Sequence, residues 1–273
     1  MILLDGKKLS EEILKNIKKE IKGRRLKLRL AVVQVGENLV SQIFINQKKK
    51  ACQKIGIGFK LFEFPAKTKK SELKKEIERI CRNPQNSGVI IQLPLPKKFL
   101  PEEFLSLISG EKDIDVLSES NLGKFYQGTL KILPPTVQGI LYLLKKYKIA
   151  LKGKDIVIIG AGRLVGFPLA VQLLKEKATV SVLNEFTRDA QFFTQKADIL
   201  ISGVGKPDLI KEHMVKKGTV IIDAGMALKK GKLAGDVDFR RVPQKTSYIT
   251  PVPGGVGPLT VACLIENLVK LNK

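Results

Sequence analysis

Short apolar runs rich in valine and isoleucine recur along the chain, at residues 28–35, 57–64, 88–93, 155–159, 178–183, 198–202 and 219–223. Runs of this length, bounded by glycine, proline or charge, predict strands. Between most of them the apolar positions change to a spacing of three and four, over residues 41–54, 70–81, 101–108, 137–148, 164–175 and 208–215. That spacing gathers apolar side chains on one face of a helix. A further amphipathic run, 261–271, lies near the end of the chain. Strands alternating with helices predict an α/β fold, with parallel sheets covered by helices.

The alternation is interrupted at residues 131–136, where Leu133-Pro134-Pro135-Thr136 stops one series before the next begins at Asp155. A boundary there suits the length, since 273 residues supply two cores comfortably. No apolar run has the length of a membrane span, and Asp5 interrupts the apolar start before a signal-peptide core forms. A cytoplasmic location without a membrane partner is expected. Cys52, Cys81 and Cys263 are scattered without metal-ligand spacing, so neither a disulfide framework nor a metal site is expected. The formal charge of +23 comes mainly from lysine spread through nearly every helical run, with an aromatic content of 6% and no tryptophan. Nucleic-acid binders concentrate charge on one face and interleave aromatics. The pattern here predicts a solvated surface with a general attraction for anionic ligands, not specific nucleic-acid binding.

Candidate chemistry begins at Asp155-Ile-Val-Ile-Ile-Gly160-Ala-Gly162-Arg-Leu-Val-Gly166, a buried strand, a glycine turn and a helix start. Gly160 permits the tight turn, Gly162 close approach of a phosphate, and Gly166 close packing of helix on sheet. Free amides at the helix start offer a pyrophosphate site. The spacing, G-x-G-x-x-x-G, is one residue longer than the common dinucleotide fingerprint. The following strand ends in Asn184-Glu185, roughly twenty residues past the glycines, where an acidic residue holds the ribose 2′-hydroxyl of NAD. Glu185 would repel a 2′-phosphate, whereas Arg163 and Arg188 would attract one.

Three more segments draw attention. Ser41, Phe44 and Lys48 share one face of their helix, for which Ser41 is the expected N-cap, while Lys49 and Lys50 point elsewhere. Gln92 ends a buried strand before the stiff Pro94-Leu-Pro96 turn, at the edge where α/β proteins present ligand contacts. Residues 248–260 hold Pro251, Pro253, Pro258, Gly254, Gly255 and Gly257, a loop of fixed shape whose backbone can approach a flat ligand.

Together these segments resemble the bifunctional methylenetetrahydrofolate dehydrogenase–cyclohydrolases. Residues 253–260 match that family's PGGVGPxT loop, and residues 92–96 lie in its VQLPLP motif. Residues 41–51 resemble SxxYxxxKxKA with Phe44 in place of tyrosine, and residues 112–116 resemble KDVDG with Val116 in place of glycine. Pro134, Thr136 and Gly139 remain of PCTPxG. Gly160, Val165, Gly166 and Pro168 remain of GxSxxVGxP, with Gly162 in place of serine. The motifs occur in family order over nearly the whole chain.

The resemblance implies a folate-binding catalytic domain of residues 1–135 and 256–273, the last helix returning to it, and a Rossmann-like domain of residues 136–255. It implies oxidation of 5,10-methylenetetrahydrofolate with NAD or NADP, then hydrolysis to 10-formyltetrahydrofolate. Lys48 becomes the reactive lysine, Gln92 the group that orients it, and Asp115 the carboxylate that binds the pterin. Ser41, Phe44, Pro253, Gly254, Gly255 and Thr260 become substrate contacts, the loop closing over folate and nicotinamide. Gly160, Ala161, Gly162, Arg163, Val165 and Gly166 become cofactor contacts. NADP-using members commonly carry arginine at the position of Ala161, so Ala161 and Glu185 both favour NAD. A homodimer formed through the nucleotide domains and attraction for polyglutamylated folates are further expectations. The departures at Phe44, Val116 and Gly162 leave three outcomes: both activities, one of them, or folate binding without catalysis. Retention of Lys48, Gln92 and Asp115 favours catalysis.

Overall fold

The computed structural model describes residues 1–273. In chain order it begins with strand β1 (Ile2–Leu3), helix α1 (Gly6–Arg24), β2 (Arg29–Val35), α2 (Leu39–Ile55), β3 (Gly58–Phe64), α3 (Lys70–Arg82) and β4 (Gly88–Ile91). Helices α4 (Glu102–Leu105), α5 (Glu119–Gln127) and α6 (Pro135–Lys146) precede β5 (Asp155–Ile159), α7 (Gly166–Lys175), β6 (Thr179–Leu183) and α8 (Ala190–Thr194). Strands β7 (Ile199–Ser202) and β8 (Thr219–Asp223), the hairpin β9 (Ala227–Lys229) with β10 (Lys232–Ala234), β11 (Thr246–Ile249) and α9 (Val256–Leu271) complete the chain. Two compact units result, one of Glu11–Pro135 with Val261–Lys273, the other of Met1–Ser10 with Thr136–Thr260.

The unit that holds Lys48 is built on a parallel sheet in the order β3-β2-β4. Its central strand is apolar on both faces because both are covered. Leu30 and Val32 of β2 join a cluster with Leu14, Ile17 and Ile21 of α1, Ile45, Cys52 and Ile55 of α2, and α9. Ala31, Val33 and Val35, pointing the other way, join Leu73, Ile77 and Ile80 of α3 and Phe104 of α4. Val261, Ala262, Leu264, Ile265, Leu268 and Val269 of α9 all lie in the first cluster. Six buried apolar side chains stabilise by about 10 kcal/mol before conformational entropy is counted, so packing fixes the position of this helix. Asn267 ties it down further, its amide donating to the carbonyls of Ile114 at 3.0 Å and Leu133 at 2.8 Å.

The unit that holds Gly160 carries a parallel six-stranded sheet in the order β1-β11-β8-β7-β5-β6. From β5 the chain moves outward to β6, then crosses to β7 on the other side of β5. The order reverses between β5 and β7, and such a switch point opens a crevice at the carboxyl ends of the strands. Val157 and Ile159 of β5, Leu200 of β7, Ile221 of β8 and Ile249 of β11 share one buried cluster beneath it.

Two expectations are corrected. The sequence places residues 1–10 with Lys48, but β1 pairs in parallel with β11, Ile2 opposite Tyr248 and Leu3 opposite Ile249. The Lys7 amide also donates to the Gly254 carbonyl at 2.8 Å, which anchors the chain start to this unit. Residues 208–215 form no α-helix. Asp208 adopts a left-handed φ of +56°. Ile210 instead bridges Val237, donating to the Asp236 carbonyl at 2.9 Å and accepting the Asp238 amide at 3.0 Å, which leaves a short 3₁₀ turn at Glu212–Met214.

Candidate active site

Helix α2 starts one turn earlier than its sequence suggests. Asn38, not Ser41, is the N-cap, its side chain accepting the Ser41 amide at 2.9 Å. Asparagine caps as well as serine, and here it leaves the Ser41 hydroxyl free for another partner. That hydroxyl donates to the Leu93 carbonyl at 3.2 Å. The same carbonyl accepts Gln92 Nε2 at 2.9 Å. With its nitrogen so engaged, the Gln92 amide turns its oxygen to Lys48, whose Nζ donates to Oε1 at 2.9 Å. Ser41 and Gln92 thus share one anchor, the Leu93 carbonyl, and Gln92 is held there with its oxygen toward Lys48.

Lys48 is only 7% exposed, whereas Lys49 and Lys50 on the same helix are exposed. Burial holds its pKa below the usual lysine range, and the charge of Asp115 opposes that fall. Asp115 is half-buried. Burial pushes its carboxyl up to about 6, with the Lys48 charge working against the rise and Asp113 adding to it. The two groups are coupled: each loses hydration, and each restores part of the other's charge. Cys52, one turn beyond Lys48, is fully buried and pushed up to about 12 by burial, which leaves it a neutral thiol.

The loop holding Asp115 is set by its neighbour Asp113, a residue that sequence reading left without a role. Its buried carboxylate accepts the Leu117 amide at 3.0 Å, the Ser118 amide at 2.8 Å and the Ser118 hydroxyl at 2.6 Å. Those bonds hold Val116 at a φ of +58° with its side chain fully buried. A β-branched residue is costly in the left-handed region, so the Asp113 bonds and the buried valyl group together enforce the turn. Phe44 is half-buried against the apolar cluster of this unit. Ser41, Phe44, Lys48, Gln92 and Asp115 all belong to this one unit.

The other predicted residues fall in the second unit. Gly160 sits at a φ of +102°, and a Cβ on Gly166 would overlap the Gly160 carbonyl oxygen, so both positions demand glycine. Gly162 faces open space, with nothing within 4 Å of a Cβ built there. The turn is therefore a cradle open on one side, next to the uncapped start of α7 at Gly166, where Val165 supplies no side-chain cap. Ala161 and Arg163 are half-buried at this turn. Glu185 is exposed in a turn built by Asn184, whose side chain accepts the Phe186 amide at 3.0 Å. At the 253–260 loop, Gly254 has a φ of +114°. A Cβ on Gly6 would overlap the Gly255 carbonyl oxygen, so the loop and the chain start are packed backbone to backbone. The Thr260 hydroxyl lies 3.1 Å from that of Thr136 and donates to the Val256 carbonyl at 3.3 Å.

A glycine cradle of this form at the switch point of a doubly wound sheet marks a dinucleotide-binding enzyme. Residues 134–273 match the NAD(P)-binding domain of the tetrahydrofolate dehydrogenase/cyclohydrolases, and residues 4–115 match the catalytic domain of the same enzymes. The bifunctional protein FolD of Nautilia profundicola is 44% identical over 277 residues, covering 100% of this chain and 98% of the relative. The crystal structure of the bifunctional FolD methylenetetrahydrofolate dehydrogenase/cyclohydrolase from Campylobacter jejuni superposes with a TM-score of 0.93 at 41% identity, covering 99% of this chain and 98% of that one. The Trypanosoma brucei enzyme, solved with NADP and an inhibitor, gives a TM-score of 0.94 at 31% identity, covering 99% and 97%. The chain belongs to the tetrahydrofolate dehydrogenase/cyclohydrolase family of one-carbon metabolism.

Proposed function

We propose that this chain oxidises 5,10-methylenetetrahydrofolate to the methenyl cation with NAD(P) and hydrolyses that cation to 10-formyltetrahydrofolate, with Lys48 carrying the second step. The observation that supports this most is the 2.9 Å bond from buried Lys48 to Gln92. Water attacking the methenyl carbon must lose a proton, and one carbon–nitrogen bond must then break with its electrons taken by a ring nitrogen. A desolvated lysine is neutral more often than an exposed one and can take the proton from water. The resulting ammonium is stabilised by Gln92 Oε1 and by the Asp115 charge, so it can return a proton to the departing nitrogen. Asp115 also accepts the N–H groups of the pterin. Phe44 supplies an apolar face but no phenolic hydroxyl.

The open cradle at Gly160, Gly162 and Gly166 fits a pyrophosphate, held by the amides of the glycine turn and of Gly166, since the Phe167 amide donates to the Gly162 carbonyl at 3.1 Å and Pro168 has no N–H. A nicotinamide dinucleotide bound there supplies the hydride acceptor for oxidation of the methylene bridge. Glu185, placed beyond β6, favours a free ribose 2′-hydroxyl and hence NAD. Edge strand β6 with exposed Val182, Phe186 and Phe167 supports a homodimer through this unit. The charge of +23 favours polyglutamylated folates, whose affinity should fall steeply with salt. No helix is long and apolar enough to cross a membrane.

The decisive assay measures methenyl formation and methenyl hydrolysis separately, with NAD and then NADP. Both reactions are expected, the first faster with NAD. Loss of either from the folded protein would remove that half of the reading.

A further inference from the structure

Two buried carboxylates near the carboxyl ends of β7 and β8 hold six donors between them. Asp236 accepts the Ser202 hydroxyl at 2.6 Å, the Val204 amide at 2.8 Å and the Lys206 amide at 2.7 Å. Asp223 accepts the amides of Gly225 at 3.0 Å, Asp236 at 3.1 Å and Val237 at 3.0 Å. Asp223 therefore fixes the backbone that carries Asp236, and Asp236 fixes residues 203–206. Their exposures are 3% and 0%, so water does not share the work. A Cβ on Gly225 would overlap the Asp236 carboxyl group, and one on Gly235 would overlap that of Asp223, so both glycines serve these two side chains.

Residues 203–206 follow β7 directly and stand at the switch point, opposite the glycine turn that follows β5. A Cβ on Gly160 would lie 3.1 Å from the Gly203 carbonyl oxygen and 3.1 Å from Val204 Cγ2. The amides of Val204 and Lys206 turn inward to Asp236, while the Val204 side chain stays 46% exposed. Its outward apolar face and inward polar one give this segment the character of a crevice wall. An exposed loop has no need of a buried carboxylate, because water would satisfy its amides. A wall that must hold one distance from the opposite turn does need one.

We propose that Asp236 is a positioning residue for dinucleotide binding, its carboxylate fixing residues 203–206 at the width of the crevice opposite Gly160. This rests on the assignment of a dinucleotide to that crevice, so the test begins with binding alone. Calorimetric titration of NAD and NADP into wild type, Asp236→Asn and Ser202→Ala, without folate, is read beside methenyl hydrolysis assayed without nucleotide.

Wild type should bind at least one dinucleotide. Asp236→Asn, which turns an amide N–H toward donors, should weaken that binding tenfold or more, and Ser202→Ala three- to tenfold. Hydrolysis should stay within twofold of wild type in both variants. Unchanged dinucleotide affinity in the folded variants overturns the proposal, and so does an equal loss of binding and hydrolysis, which would mark a general structural role. If Asp236→Asn does not fold, Ser202→Ala decides by the same readings. A wild type that binds neither dinucleotide overturns the assignment of the crevice, and this inference with it.

Discussion

Replacing Gln92 with glutamate keeps the shape of the side chain and puts a carboxylate 2.9 Å from the Lys48 ammonium, where an amide oxygen now lies. In the native site the largest influence on Lys48 is burial, which disfavours its charge. At 2.9 Å and an effective dielectric of 20, the new attraction is about 6 kcal/mol. Desolvation of the added carboxylate cancels roughly half, which leaves about 3 kcal/mol, or about two pKa units. Below the lysine's own pKa, the neutral fraction available as a base then falls about 100-fold. The assay follows the loss of methenyltetrahydrofolate absorbance without nucleotide across a pH series, with the spontaneous rate subtracted. The rising limb of kcat should move up by about two units in Gln92→Glu. Gln92→Leu, which removes the acceptor without adding charge, should lower the rate without that upward shift. An unmoved limb in folded Gln92→Glu would refute the role given to the pair.

Other consequences follow from single residues. Asp115 is pushed up to about 6, so it loses its charge as pH falls through that value. The folate KM should rise below about pH 6 in wild type and stay flat in Asp115→Asn, which should bind folate weakly throughout. A flat wild-type profile would remove the carboxylate from folate binding. Val116→Gly relieves about 1–2 kcal/mol of left-handed strain but gives up about 2 kcal/mol of buried valine and adds about 0.5–1 kcal/mol of backbone entropy. Denaturant midpoints should show a net loss of about 1 kcal/mol, and a gain in stability contradicts that ranking. Glu185→Ser removes the charge that repels a 2′-phosphate, so the NAD/NADP ratio of kcat/KM should drop about tenfold or more. A wild type that already prefers NADP would sink the premise.

The parts of the fold set by local pattern were legible, and those set by distant contacts were not. Strands β5 and β8 coincide with the runs read at residues 155–159 and 219–223, because fully buried parallel strands are continuous apolar segments. Helix α1 is absent from the helices read above, although Leu14, Ile17 and Ile21 stand three and four residues apart and form the buried stripe of an amphipathic helix. The helix expected at residues 208–215 has a helical pattern, but Ile210 bonds to a segment more than twenty residues away. The grouping of Lys48, Gln92 and Asp115 was expected from the family motifs, but the residues taken by themselves do not distinguish Asp113 from Asp115 inside one short motif. Their bonds do, since Asp113 is consumed by Leu117 and Ser118. Asp223 and Asp236 escaped for the same reason: their donors reach across from other strands and loops.

The measurement that bears most directly on the account is methenyltetrahydrofolate hydrolysis by purified, folded Lys48→Met, assayed without nucleotide beside wild type. A buried base that takes the proton from water contributes about 100- to 10,000-fold, so the variant should lose at least two orders of magnitude in kcat. Its melting temperature should not fall, since methionine fills the same space without a buried charge. Hydrolysis at the wild-type rate would contradict the assignment of Lys48 and, with it, the chemistry built on its bond to Gln92.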